Sequence, residues 1–418
     1  MTILGIVTVT NVRTSSLRDV ALPAVAELLA PGVPGPLQAA LGVVDTEIAE
    51  ATAVQVTWWP GAFITVRYRT QLQGRIEGPH QLVATSGASI PPGAVLVESD
   101  GVAVGVWRVP HDPALPGLAA AMDQASASRL LADLGAGSSV VEAPLRAYRP
   151  GRRAVVEVVS PATSIFLKMV RPGEAESLHR IHDELAALLP VPPTLGFDPQ
   201  LGVFAMMAIS GTTLRRALDD SRSALPPPGA VISVLEHLPD PRSTAEVGSP
   251  IERLSKVTEV LSRLLPEAAS RLEHLLGAVG SENMAPTIPV HGDFYETQLL
   301  VAEGSITGVV DVDTYGWGRP GDDAATMLAH LSVWQEGARY PERVRAYAGE
   351  LLRLWDRSHD PSDLRRRVAA VVAALAIGPF RVQRPNWPEA ARRRLALAER
   401  WVESAEGVGE GGLMTASS

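Results

Sequence analysis

Two carboxylates eighteen residues apart, Asp293 and Asp311, are the groups in this 418-residue chain whose placement most suggests chemistry. Each follows a short apolar run. Ile288-Pro289-Val290 leads through His291-Gly292 to the first, and Ile306 to Val310 leads into the second. Between them, Leu299-Leu300-Val301 and the turn Glu303-Gly304-Ser305 predict a hairpin, which brings both acids to one end of it with Gln298 in the loop between. A carboxylate to orient a hydroxyl, a second to hold a divalent cation and an amide oxygen as a further ligand are parts that phosphoryl transfer requires.

A lysine adds to this set. The chain holds only two, Lys168 and Lys256, among 37 basic residues. Lys168 sits in the strand-like run Ser164 to Val170. In a chain so biased towards arginine, a solvated lysine is readily replaced. A compact ammonium that must touch phosphate oxygens without a planar fork is not.

The segment His291-Gly292-Asp293, Gln298 and Asp311 resembles the catalytic segment of the aminoglycoside phosphotransferase and choline kinase family, relatives of the protein kinases. Gly318-Arg319-Pro320-Gly321-Asp322-Asp323-Ala324-Ala325 resembles the element downstream of it. Two positions depart from the pattern: Gln298 stands where the family usually has Asn, and Arg319 where it usually has Asp. The resemblance implies that Asp293 is the catalytic acid, Asp311 and Gln298 are Mg2+ ligands, and Lys168 holds the phosphates of ATP. It implies that His291 is structural support and that Asp323 braces the catalytic loop. It also implies a helix acid paired with Lys168. Glu174, Glu176 and Glu184 are the candidates, and Glu184 is favoured because it lies in the most regular helical stretch. Arg152 and Arg153, in the hairpin Arg149-Pro150-Gly151-Arg152-Arg153, occupy the position of the nucleotide-covering loop; an ordinary basic turn is the alternative. Met207, in the run Met206 to Ile209, falls at the hinge that meets adenine. Glu296, Asp313 and Trp334 are candidates for the acceptor, since sugar rings pack on aromatic faces and their polar groups need acidic partners. Asp313 also suits a wider metal site or a cap on the following turn.

The elements that must position these residues follow from pattern. The implied fold class is α+β, a bilobal protein-kinase-like fold with an additional N-terminal α+β cap domain. Its divisions are a cap over 1–140, a small nucleotide-binding lobe over 141–210, a helical catalytic lobe over 211–404 and a disordered tail over 405–418. In the small lobe, Leu145 to Tyr148, Ala154 to Ser160, Thr194 to Phe197 and Gly202 to Ile209 read as strands, with a helix near 174–189. Apolar spacing predicts one amphipathic helix from Ile251 to Val279, then helices over 323–336, 342–357, 361–375 and 389–403. Ser16 to Leu29 is also helix-like. Trp58-Trp59-Pro60-Gly61 and the alternating run after it echo Tyr148-Arg149-Pro150-Gly151 ninety residues later. The cap is therefore read as a degenerate copy of the small lobe that has lost its lysine, similar to the N-terminal subdomain of bacterial maltokinases.

Bulk properties set limits. Hydrophobic residues make up 46% and charged residues 20%, values of a soluble globular protein. A net charge of −9 argues against nucleic acid as the main partner and suits a cationic or neutral small molecule. The absence of cysteine excludes disulfides and thiol chemistry. The apolar opening Met1 to Val9 is short and lacks a basic leader, so a cytoplasmic location without membrane association is expected.

Together these readings predict an ATP- and Mg2+-dependent phosphotransferase acting on a hydroxyl of a small molecule, most simply a sugar or aminosugar. An aminoglycoside or aminocyclitol antibiotic is the alternative acceptor. A competing class is a nucleotide-binding pseudokinase or regulatory scaffold, for which Gln298 and Arg319 are the signs and the joint retention of Lys168, Asp293 and Asp311 is the counter-argument.

Overall fold

The computed structural model describes residues 17–41, 47–73, 80–137, 140–161, 163–244, 246–281 and 286–407. The opening Met1 to Val9 and residues 408–418 of the expected tail lie outside them. The chain forms two compact units: one of residues 1–113, 260–266 and 376–393, the other of 114–259, 267–375 and 394–418.

The first unit carries α1 (Ala24–Leu28), α2 (Gly35–Leu41) and strands β1 (Ile48–Trp59), β2 (Phe63–Leu72), β3 (His80–Gly87), β4 (Val95–Ser99) and β5 (Val102–Arg108). The strands form one antiparallel sheet in the order β1-β2-β3-β5-β4. Alternation along β2 buries Ile64, Val66 and Tyr68 beneath the helices, and the Tyr68 hydroxyl donates to the Leu28 carbonyl at 2.6 Å. The helix expected from Ser16 is confined to five residues. Pro23 offers no amide to an earlier turn, and the buried Asp19 carboxylate instead accepts from the backbone amides of Ala21 and Gly61 and from the Trp58 indole.

The second unit opens with α3 (Gly117–Met122) and α4 (Gln124–Asp133). Strands β6 (Leu145–Arg149), β7 (Arg153–Val159), β8 (Ser164–Met169), β9 (Thr194–Asp198) and β10 (Val203–Met207) follow, with α5 (Ala175–Leu185) between β8 and β9. Their antiparallel order is β6-β7-β8-β10-β9. Both sheets thus run first-second-third-fifth-fourth. Both also open on the same turn: Ala62 N bonds Trp59 O and Arg152 N bonds Arg149 O, each at 3.0 Å, and Gly61 and Gly151 sit at φ +68° and +66°. A type II turn demands that positive φ, and Pro-Gly supplies it.

After β11 (Thr212–Thr213), α6 (Leu214–Leu218) and α7 (Pro228–Glu236), the helix expected across 251–279 is two: α8 (Pro250–Leu264) and α9 (Ala269–Val279), separated by a 3-10 turn at Pro266–Ala268. Pro266, without an N–H, cannot continue the ladder, and the apolar period alone does not register that break. Residues 288–318 then contribute β12 (Ile288–Val290), β13 (Leu299–Ala302), β14 (Ser305–Val309) and β15 (Gly316–Gly318). The hairpin β13–β14 extends a sheet with β11, and β12 pairs with β15. The helices expected next appear as α10 (Asp322–Gln335), α11 (Pro341–Trp355) and α12 (Pro361–Leu375), followed by α13 (Gly378–Arg381) and α14 (Trp387–Ala405). Helix α10 is buried along most of its length between α11 and α12. Arg367 of α12, only 1% exposed, binds Asp322 of α10 at 2.7 Å and Asp363 at 2.8 Å. That network fixes the start of α10, and with it the element that braces the catalytic loop.

Candidate active site

The loop from His291 to Gln298 owes its shape to a buried carboxylate. Asp323, in the first turn of α10, accepts from the backbone amides of His291 at 2.6 Å and Gly292 at 2.9 Å. Burial pushes its carboxyl up to about 7 against the opposing pull of these two hydrogen bonds. Gly292 sits at φ +81°, where a Cβ would lie 2.6 Å from the Thr314 carbonyl oxygen, so only glycine fits. His291 is buried. Its Nε2 faces the Val310 carbonyl at 3.2 Å, its Nδ1 faces the Asp293 amide at 3.4 Å, and burial lowers its proton affinity. A neutral ring with its proton on Nε2 satisfies both contacts, and this is a packing role rather than that of a base.

Asp293 emerges half-buried from this brace. Its carboxyl titrates above its ordinary value, chiefly through burial and next through the charge of Asp311; Arg253, Arg153 and Arg149 pull it back. Asp311 ends the hairpin in the left-handed region at φ +58°, which turns its side chain out of the strand path. Burial disfavours its charge, yet Lys168 and then Arg153 outweigh that and hold the carboxyl below its ordinary value.

Lys168 does not meet Glu184. Its Nζ lies 2.8 Å from Asp311 Oδ1 and pairs with Asp313 Oδ2 as well, whereas Glu184 accepts from the Arg242 amide at 3.0 Å and the Tyr315 hydroxyl at 3.3 Å. The face of α5 that packs on the sheet presents Ala175, Leu178 and the buried His182, so Glu184 is directed elsewhere. Arg153 Nη1 reaches both Asp311 Oδ1 and Asp313 Oδ2 at 3.5 Å. Two cations from the small sheet and two carboxylates from the catalytic hairpin therefore form one cluster. Arg152 is exposed.

The other expected site residues are distributed as follows. Gln298 is buried, with its backbone amide on Tyr295 O at 2.8 Å and its carbonyl receiving Val310 N at 2.9 Å, which holds it beside Asp311. The Met207 amide, expected to meet adenine, is taken by Pro193 O at 2.9 Å, and the next amide, Ala208, by Ser164 O at 3.1 Å. Glu296 is fully buried and bound through Oε1 by the Arg215 guanidinium, 2.7 Å from its Nε, so its carboxylate already has a cation. That guanidinium also lies 5.1 Å from the centre of the Trp334 ring. Tyr295 stacks on His330 at 4.0 Å, and burial followed by the charge of Arg215 pushes the His330 ring down to about 3. Asp313 is a partner of Lys168 and Arg153 rather than an unpaired acid.

A divalent cation of the Mg2+ type needs one or two protein oxygen ligands and completes its shell with water and phosphate. Asp311 and Gln298 are such a donor set. Among the described residues no group of three or more His, Cys, Asp or Glu is placed to hold a metal ion by itself. No helix among them is long and apolar enough to cross a membrane.

A braced Asp293, a left-handed Asp311 and a strand lysine on that carboxylate define a kinase-like site. Residues 145–359, just over half of the chain, match the APH model, described as the phosphotransferase enzyme family. The chain belongs to that family and is a small-molecule phosphotransferase acting on a hydroxyl. No curated protein matches it. Solved structures with a likeness to it include a thermostable mutant of aminoglycoside phosphotransferase APH(4)-Ia in ternary complex with ADP and hygromycin B (15% identity, TM-score 0.46, 67% of this chain and 98% of that one). Macrolide 2′-phosphotransferase MphH from Brachybacterium faecium is another (18%, 0.42, 65% and 97%). A choline/ethanolamine kinase family protein from Mesorhizobium loti is a third (14%, 0.42, 63% and 89%). The family assignment rests on the matched segment and not on these likenesses.

A base at Asp293 would have to be ionised to accept a proton, so the acid limb of kcat/KM is expected above the ordinary aspartate range of about 4. Arg253→Gln, which removes a cation that favours the carboxylate, should move that limb to higher pH. A pH–rate profile with an unmoved or lower limb would count against Asp293 as the titrating group.

Proposed function

We propose that the protein transfers the γ-phosphoryl group of ATP, with Mg2+, to a hydroxyl of a sugar. The observation that carries this reading is the contact of Lys168 Nζ with Asp311 Oδ1 at 2.8 Å, beside an Asp293 whose titration the Asp311 charge perturbs. Three groups distant in sequence thereby serve one small volume. When bound, Mg2+ and ATP supply the transferable group and neutralise the charge that develops on it. Asp293 orients the acceptor hydroxyl and takes its proton. Lys168 and Arg153 offer positive charge to phosphate oxygens, and Asp311 with Gln298 supplies hard oxygens to the cation. No covalent enzyme intermediate is needed, since position and charge suffice for in-line transfer.

The acceptor class follows from the acids nearby. Glu296 is held by Arg215, and Asp313 by Lys168 and Arg153, so these two carboxylates are already paired. A neutral sugar hydroxyl asks less of this surrounding than the several ammonium groups of an aminoglycoside. An aminoglycoside or aminocyclitol remains the second reading, favoured by the overall charge of −9. A nucleotide-binding scaffold without turnover is the reading from another class. ADP release should be followed with Mg2+ and ATP over hexoses, hexosamines, maltose and aminoglycosides. Acceptor-dependent release, reduced at least about a hundredfold in Asp293→Asn, is expected; nucleotide binding with no turnover over the panel would support the scaffold.

We also propose that residues 48–108 are a degenerate copy of the nucleotide-binding sheet. The shared strand order and Pro-Gly turn support it, and so does the register. Thr65 pairs with Thr85 as Val155 pairs with Lys168, each counted two residues from its hairpin, so Thr85 stands at the lysine position. Thr85 is fully buried and its hydroxyl donates to Ile64 O at 3.0 Å. Where α5 follows β8, only residues 88–94 join β3 to β4. Photolabelling with an azido-ATP should therefore modify peptides from 145–210 and none from 48–108; label in the latter would refute the loss of function.

A further inference from the structure

Arg149 and Arg153 stand directly opposite each other across the β6–β7 hairpin. Directly opposed residues of an antiparallel pair project from the same face of the sheet, with Cβ atoms about 5 Å apart, and like charges so placed repel. Such a pair costs stability unless an anion lies against it. The acids it meets belong to the reaction. Arg153 Nη1 is 3.5 Å from Asp311 Oδ1 and from Asp313 Oδ2, and Arg149 and Arg153 both act on the charge of Asp293.

Those contacts are loose. A charge-assisted N–H···O bond spans about 2.7–2.9 Å, and a guanidinium carries five donors in a planar fork. Arg153 Nη1 stands at 3.5 Å from its carboxylates, whereas Lys168 is drawn tightly onto the same two acids. The ammonium suits a point contact deep in the site. The two forks, one half-buried and one exposed at the turn, suit the spread oxygens of a phosphoryl group.

We infer that Arg153, with Arg149 opposite it, grips the terminal phosphoryl group of the nucleotide and makes this hairpin a discriminator of ATP from ADP. The inference rests on the kinase reading above. A phosphoryl group that leaves a nucleotide held at Lys168 and Asp311 for a hydroxyl held at Asp293 passes between these carboxylates, where the arginine pair applies its charge. ADP lacks that group and leaves the pair with only the long contacts of Arg153 to Asp311 and Asp313. The pair therefore favours the substrate nucleotide over its product, and favours the charge spread over the transferring oxygens.

The test is the affinity of the full-length chain for AMP-PNP and for ADP, each with Mg2+ and without acceptor, by titration calorimetry. The wild type should bind AMP-PNP about tenfold or more tightly than ADP, the scale of a charge-assisted hydrogen bond. Arg153→Gln should bring the two affinities to within about twofold by weakening AMP-PNP while leaving ADP nearly unchanged. Arg149→Gln should move the ratio in the same direction by less, and Arg153→Lys should keep part of it. These two variants decide the matter if Arg153→Gln does not fold. Equal weakening of both nucleotides, or an unchanged ratio, would overturn the inference while leaving the kinase reading intact. A wild type that binds neither nucleotide would overturn both.

Discussion

The contact on which the rest of the site depends is the four-charge cluster of Lys168, Arg153, Asp311 and Asp313. It joins the small sheet to the catalytic hairpin with groups that are 143 residues apart in sequence for the Lys168–Asp311 pair. Half-buried charges are costly unless they are matched, and here two cations offset two carboxylates. The cost of bringing them together is met by ordinary packing: Val170 and Phe204 of the sheet region pack with Ala175 and Leu178 of α5 in one core. A nucleotide and its metal would enter a place whose charges are already balanced, replacing ion pairs with others of the same sign pattern.

A second constraint operates behind the catalytic loop. Asp323 holds two consecutive amides, Asp322 is held by Arg367, and both acids lie in the first turn of one buried helix. The loop that carries Asp293 thus takes its shape from α10, and Gly292 permits the close approach to Thr314. The backbone amide of residue 319 is received by Asp322 at 3.1 Å whichever side chain stands there, so Arg319 in place of an acid leaves that contact in place.

Local signals carried much of this into the sequence. The hairpin between Gln298 and Asp311, the strand of Lys168 and the helices after Asp322 are dictated by turn chemistry and apolar period, which short windows reveal. Partner choice is not local. Glu184 looked suitable for Lys168 because it lay on the right helix, but the face that helix buries excludes it. The Met207 amide at the expected hinge bonds Pro193 O, a pairing visible only once the sheet is formed. Glu296 read as an acid free for substrate until Arg215, 81 residues earlier, was brought against it. The roles of Arg149 and Arg253 near Asp293 had no signal in the sequence beyond their charge. The break at Pro266 had one, and the apolar period across it masked it.

The central question is whether the cluster around Asp311 seats a metal together with a nucleotide. The direct measurement is calorimetric titration of ATP into the full-length chain, with Mg2+ and with chelator, for the wild type and Asp311→Asn. Binding in Mg2+ should weaken at least about tenfold when the ion is removed, and the affinity of the variant should no longer respond to the ion. ATP affinity that is the same in all four conditions would contradict a shared seat for metal and nucleotide.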